Sequence, residues 1–294
     1  MPTIVDEAVV VRLWDFSETS QTASLFTREH GVLRGLAKGA RRPHARFSGG
    51  MDLLTRGQVV AIVKPSAELA TLTEWDLQEV FWAARRDLGS HYASLYFVDL
   101  IAHAITDHDP HRELYEALVD GLRALGKPQS DSDALPANRG DDTPEGASAA
   151  GEGVSLNAVR ASVRVQWAVL VETGYRPVLD RDARTGAALP GAPVLGFSPV
   201  AGGVTSDPGQ RDAGVWRVRP ETIAVLRTLD GATAPGPTGG GATGDAPGAT
   251  SARAWTGAAR LLGAYLCEIL GRRPPSYAPF VEYCLKIESP VSGG

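Results

Sequence analysis

Cysteine is nearly absent from this chain of 294 residues, in which only Cys267 and Cys284 occur. The two lie far apart among apolar residues, so they support neither a disulfide framework nor a redox pair and favour a reducing compartment. The sequence also lacks a charged leader with a short apolar core, and it has no run of about 18 apolar residues. We therefore expect a cytoplasmic protein without a membrane segment.

An excess of positive charge is missing as well. The chain has 29 Lys and Arg against 34 Asp and Glu, a formal net charge of −5. A surface that binds a polyanion must then be local. The hydrophobic content of 43% is ordinary for a globular protein, and the length allows a sizeable core.

Motifs for catalysis or metal binding are incomplete, since neither H-E-x-x-H nor G-x-S-x-G occurs. The segment GLRALGK (121–127) matches the start of a phosphate-binding loop, but Pro128 stands where a hydroxyl residue is needed. The histidine cluster at 103–111 is interrupted by Asp107–Pro110, which breaks the helix that would align its ligands. We predict a helix end and a solvated turn at these places, with no cofactor, no metal and no enzymatic activity.

What is present divides the chain into two domains. Residues 1–85 hold about five runs rich in Val, Leu, Thr and aromatics, with a hairpin turn at His30 and Gly31. Short strands at this density predict a small closed or partly open β-barrel. From about residue 87 apolar residues recur at helical spacing, so residues 86–294 are predicted to be mainly helical.

Three stretches depart from the helical pattern. Residues 127–153 are polar and acidic, and residues 231–251 are rich in Gly, Pro, Ala and Thr. Both are predicted to be disordered insertions, because they cannot bury enough apolar surface to offset the entropy of ordering. Residues 177–219 are irregular, with many Gly and Pro and a few short extended stretches.

Basic residues are concentrated in one place. Between Arg28 and Arg46 there are six Lys or Arg residues and a single acid, Glu29. A path of cations on a glycine-containing loop suits a phosphate backbone and needs no acid or base. Arg12, Trp14 and Phe47 are candidates for a further cation and for stacking surfaces nearby. A solvated loop that serves solubility fits the charge contrast equally well.

Several segments occur in a recognisable order along the chain. They are AKGARRP (37–43), ETGYRPVLDR (172–181), FSPVAGGV (197–204) and LLGAYLCEILGRRPPS (261–276). In combination they resemble the RecO family of recombination-mediator DNA repair proteins, over nearly the whole chain apart from the two insertions. The resemblance implies an α+β fold, with an N-terminal OB-fold β-barrel followed by a mainly α-helical domain that carries a zinc-ribbon-like insertion at 177–219.

That insertion departs from the family pattern of two C-x-x-C pairs. Asp182 and Thr185 stand at the first pair, and Ser206 and Gly209 stand near the second. No thiolate remains, so we expect no tetrahedral zinc. We expect packing of apolar residues to hold the segment instead. These residues are Leu179, Leu195, Phe197 and Val204.

For function, the resemblance implies a non-enzymatic protein that binds single- and double-stranded DNA. It implies annealing of complementary strands and help in loading RecA during gap repair, at a nucleoid-associated place in the cytoplasm. The DNA-binding role falls on Lys38, Arg41 and Arg42, with Arg34 and Arg46 as helpers.

The implied protein partners are RecR and the tail of single-strand-binding protein. The candidates for the cation that would receive an acidic tail are Arg260, Arg272 or Arg273. An alternative from another class stays open, namely a protein-interaction adaptor whose barrel docks a protein partner instead of DNA. Only DNA binding predicts an affinity that falls steeply with salt.

Overall fold

A computed structural model of the chain describes residues 2–64, 67–127, 156–208, 214–233 and 251–285. The predicted insertions at 127–153 and 231–251 lie outside these residues except at their edges, and so does Gly209. Among the described helices, none is both long and apolar enough to cross a membrane.

The N-terminal part is a sheet whose strand pairings return to their starting point. Its strands are β1 (Thr3–Asp15), β2 (Gln21–Thr27), β3 (Gly31–Ala37), β4 (Phe47–Ser48), β5 (Thr55–Ile62) and β6 (Ala70–Val80). β1 pairs antiparallel with β2 and β5, β2 pairs with β3, and β5 pairs with β6. β6 then pairs in parallel with β3, which closes a ring of five strands with the short β4 beside β6.

The hairpin predicted at His30 and Gly31 is confirmed. β2 and β3 are antiparallel, and Thr27 is the partner of Gly31 at the turn. Gly31 has φ of +70°, a left-handed conformation that favours glycine. Its Cα also faces the backbone of Asp109, and an added Cβ would lie 2.1 Å from that carbonyl oxygen. The turn is therefore pressed against the segment that connects two helices.

The middle of β1, residues 8–11, is buried on both faces, and its successive side chains point to opposite sides of the sheet. Ala8 and Val10 lie inside the ring, in a cluster that includes Trp75. Val9 and Val11 point outwards and belong to the core that the helices form. The ring and the helices therefore share a packed interface, and the domain boundary near residue 85 stays a prediction.

The helices are α1 (Ala83–Arg86), α2 (Leu88–Ala104), α3 (Arg112–Ala124), α4 (Leu156–Glu172), α5 (Pro220–Thr233), α6 (Ala252–Leu270) and α7 (Tyr277–Cys284). Helical spacing was predicted from about residue 87, and the helices from α2 onwards confirm it. α5 continues to Thr233, past the start of the predicted insertion at 231–251. The segment 121–127 ends α3, as predicted. A mixed α+β fold, rich in sheet at the N-terminus and then helical, is thus confirmed.

A chain of charges joins the ring to α3. Arg56 donates to Glu79 over 3.0 Å and to Glu7 over 3.1 Å. Arg123 of α3 donates to both oxygens of the Glu79 carboxylate, over 2.9 and 2.7 Å. The hydrogen bond from Arg123, supported by Arg56, lowers the pKa of the Glu79 carboxyl. This network links β1, β5 and β6 of the ring to α3.

Residues 177–219 contain a small sheet of three strands, β7 (Leu195–Ser198), β8 (Gly203–Thr205) and β9 (Trp216–Val218), with β7 in the centre. The four apolar residues expected to hold this segment are all buried, so that prediction is confirmed. Within the described residues no group of three His, Cys, Asp or Glu side chains converges in a way that would hold a metal ion.

One buried carboxylate adds to this packing. Asp182, 5% exposed, accepts hydrogen bonds from the backbone N–H groups of Arg184 at 2.9 Å and Thr185 at 3.0 Å. Its second oxygen accepts from the N–H of Ser206 at 2.7 Å. These bonds, with that of Ser206 the strongest, hold the pKa of the Asp182 carboxyl well below its usual range. Asp182 therefore bridges the two chain positions where the family resemblance expects zinc ligands.

Candidate nucleic-acid interface

The basic loop follows β3 and is anchored by its backbone. Gly39 has φ of +69°, and its N–H donates to the hydroxyl of Ser20 over 3.0 Å. The N–H of Arg41 donates to the carbonyl oxygen of Thr19 over 3.1 Å. The loop therefore lies against the turn between β1 and β2, and its side chains take no part in these bonds.

The five predicted cations are all exposed, but they differ in their partners. Arg34 forms an ion pair with Asp107 at 3.1 Å, Arg41 pairs with Asp15, and Arg46 pairs with Glu74 at 2.6 Å. In the described part of the chain, two of the cations have no ion pair or side-chain hydrogen bond. They are Lys38 and Arg42.

The three ion pairs are weak obstacles to an incoming phosphate. Their arginine side chains are 57%, 43% and 79% exposed at Arg34, Arg41 and Arg46 respectively. An exposed pair contributes about 0–1 kcal/mol, because water and salt screen it. A phosphate can therefore exchange with each carboxylate at low cost.

Arg34 lies apart from the loop, on the outer face of β3. It lines a groove of about 730 Å³ together with Lys64, Asp107 and His108. The N–H of His108 donates to the carbonyl oxygen of Val32 over 3.0 Å, which fixes this edge of the groove on β3. Arg34 therefore lies at the flank of the candidate interface, and the predicted residues after β3 lie at its centre.

The three histidines of the 103–111 segment do not converge. His103 hydrogen-bonds through Nδ1 to the carbonyl oxygen of Asp99, at 2.6 Å. His111 lies between the carboxylates of Glu172 and Asp109, at 3.1 Å from each. The predicted break between two helices is confirmed, since α2 ends at Ala104 and α3 begins at Arg112.

The structure supports only part of the prediction for a further cation and for stacking surfaces near the loop. The prediction for Phe47 is wrong, because that side chain is 9% exposed and packs inside the ring. Arg12 pairs with Asp99 of α2 at 3.4 Å. Trp14 is 48% exposed, and Phe16, which was not predicted as a stacking surface, is 64% exposed. Phe16 directly follows β1 in a polar turn, and that position in the sequence is the signal for its exposure.

Comparisons with known proteins identify relatives of this chain. A family model described as "Recombination protein O N terminal" matches residues 1–81. A protein named "DNA repair protein RecO" from Anaeromyxobacter dehalogenans (strain 2CP-C) is 31% identical over 221 residues, 75% of each chain. The chain belongs to the RecO family. The family assignment from the sequence motifs is therefore confirmed.

Other members of the RecO family match over shorter lengths. Proteins of the same name from Rhodopirellula baltica and Salinibacter ruber are 39% and 37% identical over 115 and 119 residues. The matches cover 39% and 40% of this chain, and 43% and 46% of those proteins. This chain thus spans less than half the length of these two relatives.

Proposed function

We propose that this RecO-family protein is a non-enzymatic DNA-binding recombination mediator that anneals single strands and assists the loading of RecA. The observation that carries the proposal is the pair of exposed, unpaired cations, Lys38 and Arg42, on a backbone-anchored loop of a chain whose net charge is −5. Arg41 lies between them in sequence, and it can bind a phosphate together with them when the phosphate replaces Asp15 as its partner. Relatives named as DNA repair proteins support a role in recombinational repair.

The ring of strands supports an OB-fold. Its order runs β1, β2, β3, β6, β5 and back to β1, and β3 with β6 is its parallel pair. OB-folds bind oligonucleotides on the face of their second and third strands and on the loops that join strands 1 and 2 and strands 4 and 5. The basic loop follows β3 and is hydrogen-bonded to the β1–β2 turn, so it lies beside the surface that OB-folds use.

Annealing requires no catalytic residues, because it pairs two strands without changing a covalent bond. Two phosphate backbones repel each other, and a row of cations lowers that repulsion while leaving the bases available for pairing. Phosphates carry no base information, so we expect binding to both single- and double-stranded DNA with little dependence on sequence.

The protein partners remain proposals from the family, namely RecR, the tail of single-strand-binding protein and, indirectly, RecA. Of the three arginines suggested for the tail, Arg260 donates to the carbonyl oxygen of Leu285. Arg272 and Arg273 follow α6 and are exposed. These two are the better candidates for receiving an acidic peptide.

A titration of labelled single-stranded DNA at several salt concentrations tests the proposal. The logarithm of the affinity is expected to fall linearly with the logarithm of the salt concentration, by about 0.7 for each phosphate contacted. The protein should also accelerate the annealing of complementary oligonucleotides at the salt concentrations at which it binds single strands. An absence of DNA binding at low salt would favour the adaptor alternative, in which the ring docks a protein.

A second prediction concerns the carboxylates that pair with cations of the loop. Asp15→Asn with Glu74→Gln should free Arg41 and Arg46 and raise the affinity for single-stranded DNA about fivefold, since two exposed pairs contribute roughly 1 kcal/mol. Binding titrations at low salt measure this. The control is Asp52→Asn with Asp120→Asn, which changes the net charge equally at carboxylates that are 62% and 80% exposed. An equal gain in the control would mean that net charge alone is responsible.

A further inference from the structure

Two exposed aromatic side chains flank the basic loop. Trp14 and Phe16 are 48% and 64% exposed, whereas Phe26 and Trp75 of the same ring are fully buried. Between the two stands Asp15, the carboxylate that pairs with Arg41 of the loop. The loop's backbone bonds to the β1–β2 turn bring it against the same end of β1. Aromatic and cationic groups therefore share one end of the ring.

The strand register extends this surface across the sheet. Trp14 is the partner of Thr22 on β2, and Thr22 is the partner of Leu36 on β3. Directly paired residues point to the same face, and neighbouring strands lie about 4.8 Å apart. Trp14 is thus about 10 Å from Leu36 on that face. Arg34 precedes Leu36 by two residues on β3, and Lys38, the first residue after β3, follows Leu36 by two.

We propose that Trp14 and Phe16 form a stacking platform for unpaired nucleobases of a DNA strand whose phosphates lie on Lys38 and Arg42. This inference rests on the proposed DNA binding and adds to it the basis for choosing single strands. In a duplex the base faces are already covered by their neighbours, so only an unpaired strand can offer a base to the platform. Every base has a flat aromatic face, so the selection is for strandedness and not for sequence.

The neighbouring charges favour a nucleic acid over an apolar peptide as the occupant. Cations stand on both sides of Leu36, and Arg41 and Arg42 continue beyond Lys38. Among the residues that the structure describes, only Arg34 and Arg41 of these have carboxylate partners, in exposed pairs, so a ligand with repeated negative charge beside flat apolar groups fits this surface best. A single-stranded nucleic acid has both at regular intervals. The exposed Trp82, by contrast, has the guanidinium of Arg86 over its ring, at 5.6 Å from the centroid, and lies outside this surface.

The test uses the full chain with Trp14→Ala and Phe16→Ala combined, and Trp82→Ala as the matched control. The probes are an oligothymidine, an abasic oligonucleotide of equal length and a duplex of that length. The double variant should bind oligothymidine at least about tenfold more weakly, with the abasic and duplex affinities and the salt slope almost unchanged. The control should bind all three as the wild type does.

An unchanged ratio of single-strand to duplex affinity, or an equal loss on the abasic strand, would overturn the inference while leaving DNA binding itself in place. A wild-type protein that binds none of the probes would instead remove the proposed function. Tryptophan fluorescence provides a measurement that does not need the double variant to fold. Oligothymidine should quench the wild-type emission and quench Trp14→Phe much less, and equal quenching of the two would count against the platform.

Discussion

Reversing the charges of Lys38, Arg41 and Arg42 together is expected to remove most single-strand binding and annealing while the fold stays intact. All three side chains are exposed, and the bonds that anchor the loop come from the backbone N–H groups of Gly39 and Arg41. Substitutions at such positions usually change stability by less than about 0.5 kcal/mol. Each lost phosphate contact lowers the salt slope by about 0.7, so the triple variant should lose about two units.

Arg41 requires separate treatment, because its reversal places a new carboxylate beside Asp15. The double variant Lys38→Glu with Arg42→Glu avoids this repulsion, and its slope should fall by about 1.4. Arg272→Glu with Arg273→Glu is the matched control, since it makes the same change in net charge at two exposed arginines after α6. Fluorescence anisotropy against labelled DNA at several salt concentrations measures both variants.

The outcome separates three interpretations of the basic loop. A loss in the loop variant with an unchanged control supports DNA contacts at the loop. An equal loss in both variants would assign the effect to net charge. If the triple variant folds and binds DNA with unaltered affinity and salt slope, the loop serves solubility. The adaptor alternative would then be the better account of the function of this protein.

The local elements of the fold were predictable from the sequence, whereas the strand pair that closes the ring was not. Alternation and helical spacing located the main strands and α2 to α6, because those patterns extend over many residues. α1 and α7, of four and eight residues, are too short to display a period. The parallel pairing of β3 with β6 joins strands far apart in the chain and leaves no local signal.

The site was predictable to a similar extent. Charge contrast located the cations, but the acids that pair with Arg41 and Arg46 are 26 and 28 residues away. Only the folded ring brings these partners together. Phe47 was misplaced because β4 has only two residues, too few to indicate which face its side chains occupy. From the sequence, Asp182 was visible only as a residue in the place of a zinc ligand. Its structural role was not, because the hydrogen bond from Ser206 spans 24 residues and leaves no local signal.

Replacing Asp182 by asparagine should destabilise residues 177–219 by about 2–3 kcal/mol. The carboxylate only accepts hydrogen bonds, and both of its oxygens are in use. An asparagine amide has one oxygen and one NH2 group, so its NH2 must face either the N–H of Ser206 or those of Arg184 and Thr185. A buried donor left without an acceptor costs about 1–3 kcal/mol. Denaturant unfolding measures the loss, and hydrogen exchange at the three amides locates it.

The matched control for this variant is Asp180→Asn, two residues away. Asp180 is 74% exposed and lies 3.8 Å from Arg181, so its replacement should change stability by less than about 0.5 kcal/mol. Similar losses in both variants would show that the charge of this segment matters and the hydrogen bonds of Asp182 do not.

Acid should remove the same contribution from the wild-type protein. Hydrogen bonds from Ser206, Arg184 and Thr185 lower the folded-state pKa of the Asp182 carboxyl below the value near 3.9 of an unfolded chain. The unfolded state then binds the proton more readily, so the stabilisation is complete above about pH 5 and declines as the pH falls through the folded-state pKa. Between pH 5 and pH 3 the stability of the wild type should therefore approach that of Asp182→Asn, whereas its difference from Asp180→Asn should stay small. A wild-type advantage over Asp182→Asn that is constant across this range would mean that another group provides the acid sensitivity.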